Sequence, residues 1–219
     1  MNDMEFDAVI RGRRSIRRFK PEPVPHELIC EILDEARWSP SWANTQAWSV
    51  YVVTGETLQR LKDAAQTPGG RETSAGPDFR MPREWPPHLA ARTRQLFDLR
   101  STAAPESSPA PGAPSLAQFY GAPCVLFFAA EKGLASDYVL FDSGLIVQSV
   151  CLAAHDKGLG TCIMAMAVRD PDALRELLPE AADKQFVIGV ALGYPDNEAP
   201  VNRFERPRAQ LEEFVTWAN

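Results

Sequence analysis

The sequence contains no C-x-x-C pair, and its four cysteines, Cys30, Cys124, Cys151 and Cys162, stand apart among apolar neighbours. The three histidines, His26, His88 and His155, are equally scattered. Neither a zinc site nor a Cys–His catalytic pair has the spacing it needs, and reduced, buried thiols in a cytoplasmic protein are expected. No uninterrupted apolar run reaches the about 18 residues of a membrane span. The opening Met1-Asn-Asp-Met-Glu-Phe6 lacks the basic flank and apolar core of a signal peptide, so a soluble, intracellular protein is the expectation.

G-x-G-x-x-G and G-x-x-x-x-G-K-[ST] are both missing, which excludes the two best-known Gly-rich phosphate loops. Basic charge is also scarce: 23 Lys and Arg stand against 29 Asp and Glu, a net charge of -6. That balance argues against nucleic acid as a partner, because nucleic-acid-binding domains carry a basic face. One stretch breaks the acidic background, Arg11-Gly-Arg-Arg-Ser-Ile-Arg-Arg-Phe-Lys20. Arg13, Arg14, Ser15 and Arg17 can hold a small anion through charge-assisted hydrogen bonds, or form a solvated basic run. A second cluster, Arg206-Pro-Arg208, joins the first only if the fold brings the chain ends together.

With 219 residues and 45% hydrophobic content, the chain fits one α/β or α+β domain, residues 1–219. Phe6, Val9 and Ile10 follow helical spacing, with Asn2 or Asp3 as N-cap. Three prolines in Lys20–Pro25 impose an extended connector. A helix starts near His26, with Leu28, Ile29, Ile32, Leu33 and Ala36 on one face, and ends before Pro40. Ser39-Pro-Ser-Trp-Ala-Asn-Thr-Gln46 is a turn-rich loop before a strand at Trp48–Val53, and a helix follows over Thr57–Ala65. The composition of Thr67–Pro114 shifts to Pro, Gly, Ser and Ala around a helix at His88–Leu99. This insertion is either a mobile segment or a lid.

Pro123–Ala129 is apolar throughout, as a central strand requires. Asp142–Lys157 reads as a helix apolar around most of its circumference, suited to the core or a subunit interface. Gly158-Leu-Gly-Thr161 ends it, either as a plain C-cap and turn or as a turn that leads backbone N–H groups toward a ligand. Asp170-Pro171 starts a helix through Leu178. Phe186–Gly193 is a second buried strand, in which Gly189 permits close approach. The tail closes with a short helix carrying Leu211, Phe214 and Val215.

Taken in order, Arg13-Arg-Ser-Ile-Arg-Arg-Phe19, Ser39-Pro-Ser-Trp-Ala-Asn-Thr-Gln-Ala-Trp48, Gly121-Ala-Pro123, Gly158-Leu-Gly-Thr-Cys162 and Arg206-Pro-Arg208 resemble the FMN-dependent nitroreductase family. The resemblance implies an α+β fold, a mainly antiparallel sheet flanked by helices, in an intertwined homodimer with FMN at the interface. It also implies NAD(P)H as co-substrate and a small nitroaromatic or quinone-like electron acceptor, reduced in two ping-pong halves by hydride transfer through flavin N5. Enone reduction, dehydrogenation, reductive dehalogenation or a non-catalytic flavin-binding module are the alternatives on the same scaffold. By position, Arg13, Arg14, Ser15 and Arg17 would hold the phosphate and ribityl chain with Arg206 and Arg208. Pro40, Ser41, Trp42 and Asn44 would reach the ring from the other subunit, with Trp42 stacking on substrate or packing in the dimer core. Ile163, Met164, Ala165 and Met166 would lie under the ring, with N–H groups of Ala165 and Met166 near N5. Ala47 departs from the family's usual proline, and Ala165 from its glycine or glutamate. The absence of a triad, a metal site and clustered acids suits chemistry carried by a flavin.

Overall fold

The strand with no polar face lies at the centre of the computed structural model. β2 (Cys124–Glu131) is buried at every position before Glu131. It pairs antiparallel with β1 (Ser49–Thr54) on one side and β4 (Lys184–Gly193) on the other. β3 (Gly160–Met164) adds to the far side of β4, also antiparallel, giving the order β1-β2-β4-β3. The structure describes residues 5–66, 76–80, 82, 84–104, 115–134 and 137–218.

Strand alternation divides the core into two faces. Cys124, Leu126 and Phe128 pack with Ile29 and Ile32 of α2 (His26–Ala36) and with Ile146 and Val150 of α5 (Asp137–Asp156). Val125, Phe127 and Ala129 pack with Leu58 and Leu61 of α3 (Gly55–Gln66) and Leu174 of α6 (Pro171–Leu177). Each fully buried Phe or Leu stabilises the fold by about 2 kcal/mol, so this doubly covered sheet is the rigid frame for everything attached to it. α1 (Phe6–Gly12) and α4 (Pro87–Ala103) lie outside it.

The local signals are confirmed where they rest on one side chain. Asp170 caps α6, its Oδ1 accepting from the Ala173 N–H at 3.0 Å. Gly158, at φ 77, turns the chain out of α5. A Cβ at Gly189 would stand 2.6 Å from the Ala167 Cβ, so the turn after β3 sits directly on β4.

Four expectations need correction. α5 begins at Asp137, not Asp142, and over an 18-residue window its mean hydropathy of 1.3 makes it long and apolar enough to cross a membrane, although half of it is buried in the fold. An uninterrupted apolar run misses such a helix because Asp142 and Ser143 divide it. The tail helix reduces to one 3-10 turn, Leu211–Glu213, because no other described part of the chain covers Leu211 and Phe214, which stay exposed. Cys30 is exposed on the outer face of α2, its Sγ 3.6 Å from His26 Nδ1, while the other three cysteines are buried. Burial pushes the Cys124 thiol up to about 12. Finally, α1 follows Glu5 with no side-chain cap; Asn2 and Asp3 lie outside the described residues.

Of the insertion, residues 67–75, 81, 83 and 105–114 lie outside the description. What is described includes an anchor. Asp78 Oδ2 accepts from the Phe186 N–H at 2.8 Å and from Arg175 Nη2 at 2.5 Å, and Arg175 also donates to the Lys184 carbonyl at 2.9 and 3.1 Å. The paired side chains are only 13% and 15% exposed. Asp78→Ala leaves a nearly buried guanidinium and a strand N–H without this acceptor, and is expected to cost about 3 kcal/mol. Urea unfolding checks this; a loss below about 1 kcal/mol would remove the anchoring role.

Candidate active site

The basic stretch after α1 runs beside β3 and the chain leaving β4. Ser15 bridges Thr161, with the Ile16 N–H donating to the Thr161 carbonyl at 2.8 Å. Phe19 bridges Pro195, and the Lys20 N–H donates to the Tyr194 carbonyl at 2.9 Å. Asn202, 3% exposed, closes the seam. Its carbonyl accepts from the Arg17 N–H at 2.8 Å, and its amide donates to the Arg18 and Asp196 carbonyls, both at 2.8 Å. The two ends of the chain therefore meet, as the functional reading of Arg206-Pro-Arg208 requires.

The arginines at this seam divide into two groups. Arg206 donates to the Arg13 and Arg11 carbonyls, and Arg14 donates to the Phe204 carbonyl. Those two guanidiniums stitch the termini together. Within the described residues, Arg208 reaches only the neighbouring Arg206 and Pro207 carbonyls. Arg17 Nη1 lies 3.4 Å from the Ser15 carbonyl, and the Arg13 guanidinium makes no hydrogen bond within the described residues. None of Arg13, Arg14, Arg17, Arg206 and Arg208 is ion-paired to a carboxylate within the described residues.

Their charges are felt by one another. Burial, then Arg17, lowers the Arg14 pKa; burial, then Arg14, Arg208 and Arg13, lowers that of Arg206. His155, on α5, is lowered by burial and then by Arg13 and Arg206. Five guanidiniums gathered without a carboxylate make a site for a polyanion, for which planar, always-charged forks are suited.

A second group of residues lies in the loop after α2, against the first half of α5. Asp142, 3% exposed, accepts the Trp42 N–H at 3.0 and 3.2 Å. Ser39 donates to the Ala36 carbonyl at 2.7 Å and pairs with Ser149 at 2.7 Å, and Ser41 Oγ accepts the Gln46 N–H at 2.9 Å. These clamps hold Ala43, Asn44 and Gln46 at φ 48, 57 and 49. Left-handed backbone costs a non-glycine residue about 1 kcal/mol or more, and such strain clusters where a loop has a task. Pro40, Ser41, Trp42, Tyr138, Phe141 and Asp142 help line an apolar cleft of about 640 Å³, with the Trp42 and Tyr138 rings 5.9 Å apart. Within one chain, no hydrogen bond or ring contact among the described residues joins this loop to the arginine cluster.

β3 leads from the seam into a 3-10 turn, Ala165–Val168. Ile163, Ala165 and Met166 are exposed, whereas Met164 is 3% exposed and points into the core. Only its backbone is available to a ligand.

The matches to known proteins span this whole arrangement. The profile of the Nitroreductase family matches residues 10–194. The chain belongs to the nitroreductase family. It is 33% identical over 216 residues to a 4-nitrobenzoate reductase of Pseudomonas putida, covering 96% of this chain and 94% of that one. It is 32% identical over 226 residues to a chloronitrobenzene nitroreductase of Comamonas testosteroni, covering 98% and 97%. Among solved structures, the FMN-dependent nitroreductase NfnB from Mycobacterium smegmatis, in complex with NADPH, superposes with a TM-score of 0.86 at 27% identity, covering 97% of each chain.

Sequence reasoning missed Asn202 and Asp142. Asn202 and Asp142 each act on partners more than 90 residues away, so no local pattern marks them. Because the His155 pKa is depressed, the unfolded chain binds its proton first. The stability of the apo-protein is therefore expected to fall as pH drops below 6.5, the ordinary imidazole value. Thermal unfolding across that range checks this, with His155→Gln flattening the dependence; identical slopes for both proteins would refute it.

Proposed function

We propose that this chain is an FMN-dependent oxidoreductase that uses NAD(P)H to reduce nitroaromatic or quinone-like acceptors. The observation that carries the reading is the convergence of Arg13, Arg14 and Arg17 with Arg206 and Arg208, unanswered by carboxylates among the described residues, in a nitroreductase-family chain. The donor set fits a terminal phosphate: the Arg13, Arg17 and Arg208 guanidiniums have no carboxylate partner among the described residues, and Arg14 and Arg206 fix the backbone that carries them.

When bound, FMN supplies hydride transfer at N5 in two halves, accepting from NAD(P)H and then giving to the acceptor. The chain's own residues bind and orient. Arg13, Arg17 and Arg208 hold the phosphate and ribityl chain, while Arg14 and Arg206 fix the seam that carries them. The Ala165 and Met166 N–H groups would serve the ring's N5 edge, and the exposed Ile163 and Met166 side chains would pack against the ring. Pro40, Ser41, Trp42 and Asn44 line the ring from a second subunit, which agrees with their separation from the arginines within one chain.

That second subunit also explains the surface. Tyr138 and Phe141 of α5 are 63% and 66% exposed, and Trp38, Trp42, Phe214 and Trp217 are exposed as well. Burying such a stripe stabilises association by about 25 cal/mol per Å². The apolar length of α5 then serves a homodimer core in the cytoplasm, not a membrane. The whole of residues 1–219 acts as one domain.

The purified protein should carry the yellow absorbance of oxidised flavin, bleach anaerobically with NADPH or NADH, and recover on adding 4-nitrobenzoate. A bound flavin that neither nicotinamide reduces would instead indicate a binding module. Arg13→Ala with Arg208→Ala removes two charge-assisted contacts and should weaken FMN binding by about 100-fold or more while the protein stays folded; full flavin occupancy in that variant would end the assignment. Sedimentation should give a dimer, and Phe141→Asp a monomer that loses FMN; a monomer retaining it would remove the partner's role.

A further inference from the structure

Gly12, the last residue of α1, is covered by a side chain from another helix. A Cβ at this position would overlap Nε2 of His155 and stand 3.3 and 3.4 Å from its Cε1 and Cδ2, so the edge of the imidazole lies directly on the glycine's α-carbon. His155 sits in the last turn of α5, and its carbonyl accepts the Gly158 N–H at 3.0 Å, which fixes the backbone that carries the ring. On either side of Gly12, the Arg11 and Arg13 carbonyls accept from the two terminal nitrogens of Arg206. The peptide that opens the basic stretch is therefore held by a guanidinium and packed by an imidazole, and Arg13 follows directly from it.

A proton on this ring has opponents and supporters. Burial opposes it first, then Arg13 after α1 and Arg206 of the tail, while Asp156, the next residue of α5, favours it. The C-terminus of α5 favours it as well, since the last carbonyls of a helix attract a cation. Cys151, one turn back on the same helix, is buried with its thiol pushed up and adds no charge. Lys157 is turned away, to Glu35 and Glu31 of α2 at 2.6 and 3.8 Å. Within the described residues the ring nitrogens make no hydrogen bond that would fix one protonation state. The two cations that oppose the proton belong to the cluster from which the phosphate site is built. A bound phosphate, with about 1.5–2 negative charges, offsets the field that keeps the imidazole neutral.

We propose that His155 is a positioning residue of the phosphate site that takes up a proton as the phosphate binds, so that the protein holds FMN more tightly as pH falls through the imidazole range. The inference rests on the phosphate reading given above. When neutral, the ring supports the Gly12 turn by packing alone. When protonated, it adds a cation behind Arg13 and Arg206, which repel it until an anion stands among them. Such coupling is reciprocal: the factor by which phosphate raises proton affinity is the factor by which the proton raises phosphate affinity. The phosphate itself acts in the opposite sense, because its second proton, with a pKa of about 6, leaves when guanidiniums take the dianion. The contribution of His155 is thus the difference between proteins with and without the imidazole.

The test follows the imidazole signals of His26, His88 and His155 by NMR from about pH 5 to 8, in apo-protein, with FMN and with riboflavin. His155 is assigned by elimination, from the signals lost in His26→Gln and His88→Gln, both exposed positions. FMN is expected to move the His155 titration upward, whereas riboflavin, which has the same ring and no phosphate, leaves it at its apo position. In parallel, the FMN dissociation constant of the wild type should improve about fivefold more than that of His155→Gln between about pH 7.5 and 5.5. A His155 titration that FMN leaves unmoved overturns the proposal. So does an equal movement with riboflavin, which would assign the effect to the ring. A loss of FMN affinity in His155→Gln by the same factor at every pH reduces the residue to packing and overturns it too. Wild-type protein that takes up no FMN at any pH overturns the phosphate reading itself, an outcome distinct from bound FMN beside an unmoved titration.

Discussion

The fold gathers like charges and must hold them. Arg13, Arg14, Arg17, Arg206 and Arg208 repel one another, and the lowered pKa values of Arg14 and Arg206 record that repulsion together with burial. Asn202 makes the gathering possible: one buried amide ties Arg17, Arg18 and Asp196, so the N-terminal strand-like stretch and the chain after β4 move as one piece. Because these contacts are to neutral backbone, they hold the arginines without neutralising them. A carboxylate in the same place would fix the geometry and cancel the field that an anionic ligand needs.

The loop at Ser39–Gln46 applies the same logic to conformation. Left-handed Ala43, Asn44 and Gln46 are disfavoured locally and are held by Asp142, Ser41 and the Ser39–Ser149 pair. Two of those clamps reach from α5, so the helix that organises one face of the core also fixes the loop. Packing, charge and backbone strain thus meet at α5, with His155 in the field of Arg13 and Arg206 near one end and Asp142 holding the loop nearer the other.

Much of the frame was legible in the sequence. Pro123–Ala129 and Phe186–Gly193 have no polar side to turn outward, and the structure puts them side by side at the centre of the sheet. Asp170, Gly158 and Gly189 announce their roles because capping, a left-handed turn and close approach are properties of a single residue. The start of α5 was hidden because Asp142-Ser143 inside the helix reads as a polar N-terminal boundary and cuts off Tyr138-Val-Leu-Phe141. The tail misled because Leu211, Phe214 and Val215 have helical spacing, but the described residues leave Leu211 and Phe214 exposed. Asp142 and Asn202 were invisible for a deeper reason: a lone polar residue acquires meaning from partners that folding supplies, and nothing in its own neighbourhood encodes them.

The anchoring of the insertion has a consequence for how such a chain can diversify. Asp78 fixes one point on the Arg175 and β4 side of the frame, and the Arg92–Glu213 pair fixes another on the tail. Neither point belongs to the sheet's hydrophobic interior. The sequence between and around them is therefore free to drift in length and character at little cost to the scaffold, in the way a cassette is exchanged in a fixed holder. Changes there leave the sheet untouched as long as the Asp78–Arg175 and Arg92–Glu213 pairs are kept.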